Sequence, residues 1–347
     1  MDVVRGCQAV ATEIGEDVSG TAPHAVSWLG IARWPQLPRA VMEALAETGV
    51  SAVAVRPVPT DPPASPIGMI LAGTLPGRTW RRDVASDDVE SALARLVGDS
   101  DVVARLAAGE DPRIGRPSRR NAVLVCADGR RDACCGRFGP DAALAVAAAL
   151  AGGRRSHRAV GTDVLECSDL SGHRFAPTAV VLPWGITLGG LGPDPTALAA
   201  AVTDMLAGRP LVDGYRGRST YPPHVQAAEA AARRHLAVVG TNAGPDDVIV
   251  HGSDLLGARV GATVGAGPTA GVEDGSVGDR SGEDGGGERH SVRMRHSGGR
   301  TIRVQVSRVR TDVTRPRSCG GDPEPVDVWD TQVEADAPTT LWFVPGN

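Results

Sequence analysis

The stretch VLVCADGRRDACCGRFG, residues 123–139, places Cys126, Cys134 and Cys135 in one loop directly after a short apolar run. A second loop, ECSDLSGHRFAPT, holds Cys167, Asp169 and His173. Thiolates and imidazoles are soft or borderline donors suited to metal binding and redox chemistry. In a chain of 347 residues they are not needed as structural staples. Both loops leave the ends of apolar segments that read as strands, the edge where α/β folds gather functional groups, so the two are expected to meet. Eight residues separate Cys126 from Cys135 and three separate Asp169 from His173. That spacing does not match the short C-x2–4-C knuckles of zinc fingers. Four donors split between two loops suit an iron–sulfur cluster instead, with each of two irons taking two protein ligands.

Hydrophobic patterning identifies the elements that must position these loops. AVSWLGI (25–31) and SAVAVR (51–56) read as buried strands flanking a helical stretch, LPRAVMEALAETG, that ends at Gly49. A strand, GMILAG, and a helix, DDVESALARLV, follow. The order then recurs as strand NAVLVC, helix PDAALAVAAALAGG opened by Pro140, strands TDVLEC and TAVVLP, and helix DPTALAAAVTDMLAG. Two successive β-α-β-β-α units predict an α/β fold of two related halves, residues 1–115 and 116–210, the second carrying the cysteine loops. Residues 211–260 read as a loop feeding a helix. Residues 261–290 are rich in Gly, Asp, Glu and Ser, have almost nothing to bury, and are expected to be disordered. Residues 291–347 read as a β-hairpin around a Ser-Gly-Gly turn followed by a tail in which Cys319 stands alone.

Composition excludes several classes. The net charge is −5, aromatics make up 3% and basic residues are scattered, which argues against nucleic-acid binding. All basic residues are arginine, with no lysine, a bias that points to a GC-rich bacterial coding sequence. No apolar run approaches the ~20 residues that span a bilayer, so no membrane insertion is expected. The opening MDVVRGCQAVATEIGED has no basic-then-apolar leader, and six cysteines are too sparse for a secreted disulfide scaffold. The expectation is a cytoplasmic, reducing setting, where clustered cysteines bind metal or do redox chemistry rather than form bridges.

Taken together, CADGRRDACCGRFG, ECSDLSGHRFAPTAVVLPWG, YRGRSTYPP with the helix after it, RPRSCG and the early SGTAPHAVSWL resemble the sucrase/ferredoxin-like family, a branch of the thioredoxin-like ferredoxins. The resemblance implies two tandem thioredoxin-like halves with a C-terminal helix and hairpin extension. It also implies a 2Fe-2S cluster in the second half, held by C-x8-C and an H-x-G-G-H type motif. Carried over residue by residue, Cys126 and Cys135 match the cysteine pair and His173 the second histidine. Asp169 stands where the first histidine would be, and Ser171 where a glycine would be. The fourth donor is then Asp169 or the neighbouring Cys167, or the cluster is weakly held or absent; a carboxylate is a harder ligand than imidazole.

Asp169 suits a loop cap equally well. Cys134 reads as a small buried hydrophobe at a helix start, Asp132 as the cap of the following turn with Arg131 ordering the loop, and Cys7 and Cys319 as non-ligands. The implied function is one-electron transfer to an unidentified redox partner protein, rather than turnover of a substrate of its own. One alternative is a thiol-disulfide oxidoreductase, for which the vicinal Cys134-Cys135 is sterically poor beside a C-x-x-C pair at a helix N-terminus. Another is a cluster-free binding protein on the same fold. A sugar hydrolase gets no support, because no pair of carboxylates can be placed across a sugar site.

Overall fold

Strands that are apolar along their whole length must be covered on both faces. The computed structural model describes residues 27–32, 50–59, 67–152, 161–209, 213–250, 289–316 and 318–335. Its elements begin with β1 (Ser27–Ala32), β2 (Val50–Pro57), β3 (Met69–Gly73), β4 (Trp80–Val84), α1 (Val89–Gly98), α2 (Ser100–Ala107) and the short β5 (Arg116–Pro117). Next come β6 (Asn121–Cys126), α3 (Ala133–Gly152), β7 (Thr162–Cys167), β8 (Ala179–Leu182), β9 (Ile186–Leu188) and α4 (Pro195–Leu206). The last are β10 (Tyr215–Arg218), α5 (Pro223–Val238), β11 (Val248–Val250), β12 (Arg289–His296), β13 (Thr301–Pro316) and β14 (Pro323–Ala335).

The result is a mixed α/β fold. Among the described residues, ten strands form one sheet in the order β10-β9-β8-β6-β7-β2-β1-β3-β4-β5. Two quartets within it repeat the same pattern. β1 runs parallel to β2 and antiparallel to β3, which is antiparallel to β4. β6 runs parallel to β7 and antiparallel to β8, which is antiparallel to β9. The quartets join edge to edge through an antiparallel β2–β7 seam, Val55 opposite Cys167 and Pro57 opposite Leu165. β6 and β8 are buried at every position. On one face of β6, Val123 and Val125 pack against α3 and α4; on the other, Ala122, Leu124 and Cys126 share a cluster with Trp28, Ile70 and Ala72 of the first quartet.

Several expectations need correction. Each quartet has one more strand than the patterning indicated: β4 is WRRDV, whose charges mask it, and β9 is only three residues long. The charges on β4 are paired: Arg81, almost fully buried, contacts Asp83 of its own strand at 2.7 Å and Asp163 of β7 at 2.6 Å. Residues 215–218, read as loop, form β10 on the sheet edge, because its two arginines are buried with partners. Arg216 lies 3.7 Å from the Phe175 ring centroid, and Arg218 donates to Glu229 of α5. Helix α3 starts at Ala133 and runs through Pro140, whose missing N–H and fixed ring mark the middle of the helix rather than its opening. At 20 residues, with only Arg137 and Asp141 charged, α3 is long and apolar enough to cross a membrane, contrary to the reading of the sequence. Here it contributes Ala142, Ala143 and Val146 to the core. The expected helix before Gly49 and Cys7 lie outside the described residues, as do residues 261–288; residues 289 and 290 open β12.

The expected hairpin around Ser297-Gly298-Gly299 is present as β12–β13, within a four-stranded sheet of order β11-β12-β13-β14. The segment expected as a tail supplies β14, paired along β13 from Ala335 to Pro323. Val225, Ala228, Ala232 and Leu236 of α5 pack on this sheet against Met294, Val304 and Trp329. α5 thus joins the two sheets. Glu229 on it accepts from Arg218 of the large sheet at 3.2 Å and from Arg233 at 2.9 Å, all three fully buried.

Candidate metal centre

Cys126 is the last residue of β6, so its position is set by the sheet: its N–H donates to Thr178 O at 2.9 Å. The chain then folds tightly, with Asp128 Oδ1 accepting from the N–H groups of Arg130 and Arg131 at 3.0 and 3.3 Å. Asp132 caps α3 as expected, its Oδ1 accepting from Cys134 N at 2.9 Å and Cys135 N at 3.4 Å. The first turn of the helix thereby brings Cys135 back under Cys126. Two glycines permit this approach: a Cβ on Gly139 would overlap the carbonyl oxygen of Cys126, and one on Gly136 would overlap Gly129.

His173 reaches the same point from the loop after β7. Ser171 and Gly172 both adopt left-handed backbone, φ 60° and 66°, and a short 3-10 turn, His173–Phe175, follows. A glycine takes this conformation freely; Ser171 takes it because Asp169 Oδ1 accepts from its N–H at 2.6 Å. The donor atoms of Cys126, Cys135 and His173 lie within 4.8 Å of one another, all three residues buried. His173 Nδ1 is 3.6 Å from Cys135 Sγ.

Asp169 is at the other nitrogen of the ring. Its Oδ1 sits 3.2 Å from His173 Nε2, and its Oδ2 lies 3.1 Å from Arg131 Nε. A carboxylate on the outer nitrogen of a histidine fixes the ring's orientation and leaves the inner nitrogen to face the site. Cys167 is opposite Cys126 in the parallel β6–β7 register and faces the same apolar cluster, but it does not join the three-donor group. The structure therefore brings together three of the five residues singled out from sequence. It puts Asp169 behind His173 and Cys167 beside Cys126.

The electrostatics favour a thiolate at Cys126. Its thiol is held down to about 5, first because the Cys135 thiol donates to it, against the opposing effect of burial, with His173 and the N–H groups of Asp128 and Leu170 adding to the effect. Cys135 is pushed up as the donor of that bond and by burial. His173 is raised because it donates to Cys126 and lies near Asp169, with burial opposing. Cys167 is pushed well up by burial, so it stays a neutral thiol. A thiolate, a second thiol and an oriented imidazole form a soft donor set fitting an iron–sulfur or zinc ion site, with a fourth position not supplied by this group.

Cys134, one residue before Cys135, turns the other way. It is disulfide-bonded to Cys319, and Cys319 N donates to Asp132 Oδ2 at 2.8 Å. This corrects the readings of Cys134 as a mere apolar filler, of Cys319 as isolated, and of the cysteines as free of bridges. Consecutive residues on a helix point about 100° apart, so adjacent thiols serve two different partners. The sequence held only one sign of the pairing, the presence of RPRSCG among the stretches that resemble the family, because the two cysteines are 185 residues apart.

The profile of the sucrase/ferredoxin-like family matches residues 35–217, more than half of the chain. The match spans β2 to β9 and both loops of the three-donor group. The chain belongs to the sucrase/ferredoxin-like family. No curated protein and no solved structure matches it.

Proposed function

We propose that this chain is a one-electron transfer protein that holds a 2Fe-2S cluster through Cys126, Cys135 and His173, on two thioredoxin-like halves that correspond to the two quartets. The observation that carries the reading is the convergence of two cysteines and one histidine from separate loops, buried and within 4.8 Å of each other. A cluster held there would supply reversible one-electron chemistry. The residues of the chain do the rest. Cys126 offers a thiolate at neutral pH, and metal ligands must be deprotonated. Asp169 and Arg131 hold the His173 ring, while burial by Leu170 and the core limits solvent access, a control on potential. The repeat of strand order and direction supports the two-half reading, and the electrons would pass to or from a redox partner protein.

Iron and acid-labile sulfide analysis of anaerobically purified protein, with visible spectra, tests this reading. The expected result is a red-brown protein with both elements, bleached in Cys126→Ser and Cys135→Ser and largely unchanged in Cys134→Ser, whose sulfur faces Cys319. Colourless protein lacking iron, or equal bleaching by Cys134→Ser, sinks it. Cys167→Ser tests the fourth position, which loss of the cluster in that variant would assign to Cys167, whereas Asp169→Ala reads the hold on the His173 ring.

A further inference from the structure

The β13–β14 ribbon continues past the four-stranded sheet, and its turn, Ser318 to Asp322, carries Cys319 to the start of α3. There Cys319 packs against the apolar cluster that contains Cys126, Cys135 and Phe138. Two bonds fasten it, the Cys134–Cys319 disulfide and the hydrogen bond to Asp132 Oδ2. Most of the ribbon between Arg308 and Val328 is exposed or half-buried, so its distal end has little apolar contact of its own.

We propose that Cys134 and Cys319 form a reducible clasp that fastens the ribbon tip beside the three-donor group, and that a dithiol opens it. A metal ion shared by Asp132, Cys134 and Cys319 is the competing use of these atoms. The carboxylate argues against it, because Oδ1 already accepts from Cys134 N and Cys135 N and Oδ2 from Cys319 N. Two thiols then remain, and they pair. Cys319 is half-buried whereas Cys134 is fully buried, so the reductant's thiolate attacks Cys319 Sγ. The S–S bond breaks and its electron pair leaves on Cys134 Sγ, in the first turn of α3, where the helix N-terminus favours a thiolate. The second thiol of the reductant resolves the mixed disulfide. Two electrons and two protons pass to the clasp, which becomes two thiols, and the reductant becomes a disulfide. The vicinal Cys134-Cys135 pair takes no part. The proposal does not depend on a cluster, since neither sulfur belongs to the three-donor group.

Peptide mapping with exchange measurements tests the clasp on the full chain. Air-oxidised protein is alkylated, digested with trypsin without reductant and sequenced by tandem mass spectrometry; the expected product links peptide 132–137 through Cys134 to peptide 318–347. Titration with dithiothreitol should remove that product and raise amide exchange at residues 318–322 by about tenfold or more, as local opening replaces a fixed turn. Cys319→Ala should show the same fast exchange without reductant. Separately alkylated Cys134 and Cys319 in the oxidised chain, zinc retained by those two thiols, or exchange at 318–322 indifferent to dithiothreitol would each overturn the proposal. The titration of the unsubstituted chain decides the matter even if the variant does not fold.

Discussion

Asp169 stands where the resemblance implies a histidine, and its place in the structure gives it a specific task. It touches His173 Nε2 and Arg131 Nε, so it acts on the site through the ring it holds. Asp169→Asn keeps the shape and weakens that hold. Its expected effect is a loss of about 10- to 100-fold in metal affinity, the usual cost of removing an outer partner of a histidine ligand. Competition with a chromophoric chelator measures it, and an affinity equal to that of the unsubstituted chain would show that His173 needs no orienting partner. The residue types of the group were legible in sequence because a thiol, a thiol and an imidazole at fixed spacing have few other uses. The role of Asp169 was not, because cap, ligand and orienting partner all call for the same carboxylate in the same loop.

At the scale of elements, α3 decides whether the site exists. Its first turn delivers Cys135, its cap is Asp132, and Gly139 lets it press onto the carbonyl of Cys126. Gly139→Ala places a methyl group against backbone that the sheet holds in place. The expected cost is about 1–3 kcal/mol, as for overpacking in a core, despite the better helix propensity of alanine. Urea unfolding measures it, and a stabilised variant would mean that the loop, not the helix, gives way. The same helix shows where reading the sequence stopped. Pro140 is a favoured opener and hid the seven residues before it, Ala133 to Gly139, which include both cysteines. The central strands β6 and β8 were legible from unbroken apolar runs, whereas β4 was hidden by arginines that also reach the distant carboxylates Asp163 and Asp111.

Across the whole molecule, buried charge ties the two quartets together beyond their short seam. Asp163 of β7 receives Arg81 of β4 at 2.6 Å and also pairs with Arg120. Burial alone would raise its carboxyl, but the hydrogen bonds and charges of Arg120 and Arg81 bring it below the usual carboxylate range. A carboxyl depressed in the folded state stabilises above its unfolded pKa of about 3.9, and that contribution is lost as pH falls through the lower folded value. Asp163→Asn should therefore be less stable by about 1.5–3 kcal/mol at neutral pH, the usual cost of losing a hydrogen bond between charged groups, since it takes from Arg81 one of its two carboxylate partners and leaves Asp83 as the other. The gap should narrow below about pH 4. Urea midpoints across pH test this, and a gap that does not vary with pH would remove the ion pair from the account. The Cys134–Cys319 bond acts on a still larger scale. It turns everything from Cys134 in α3 to Cys319 at the ribbon tip into one covalent ring, with β1 to β6 on the arm before it and the whole of β14 on the arm after it. A single cut anywhere in that ring leaves the number of molecules unchanged, and a second cut in it, at another peptide bond or at the disulfide, is needed to separate the pieces.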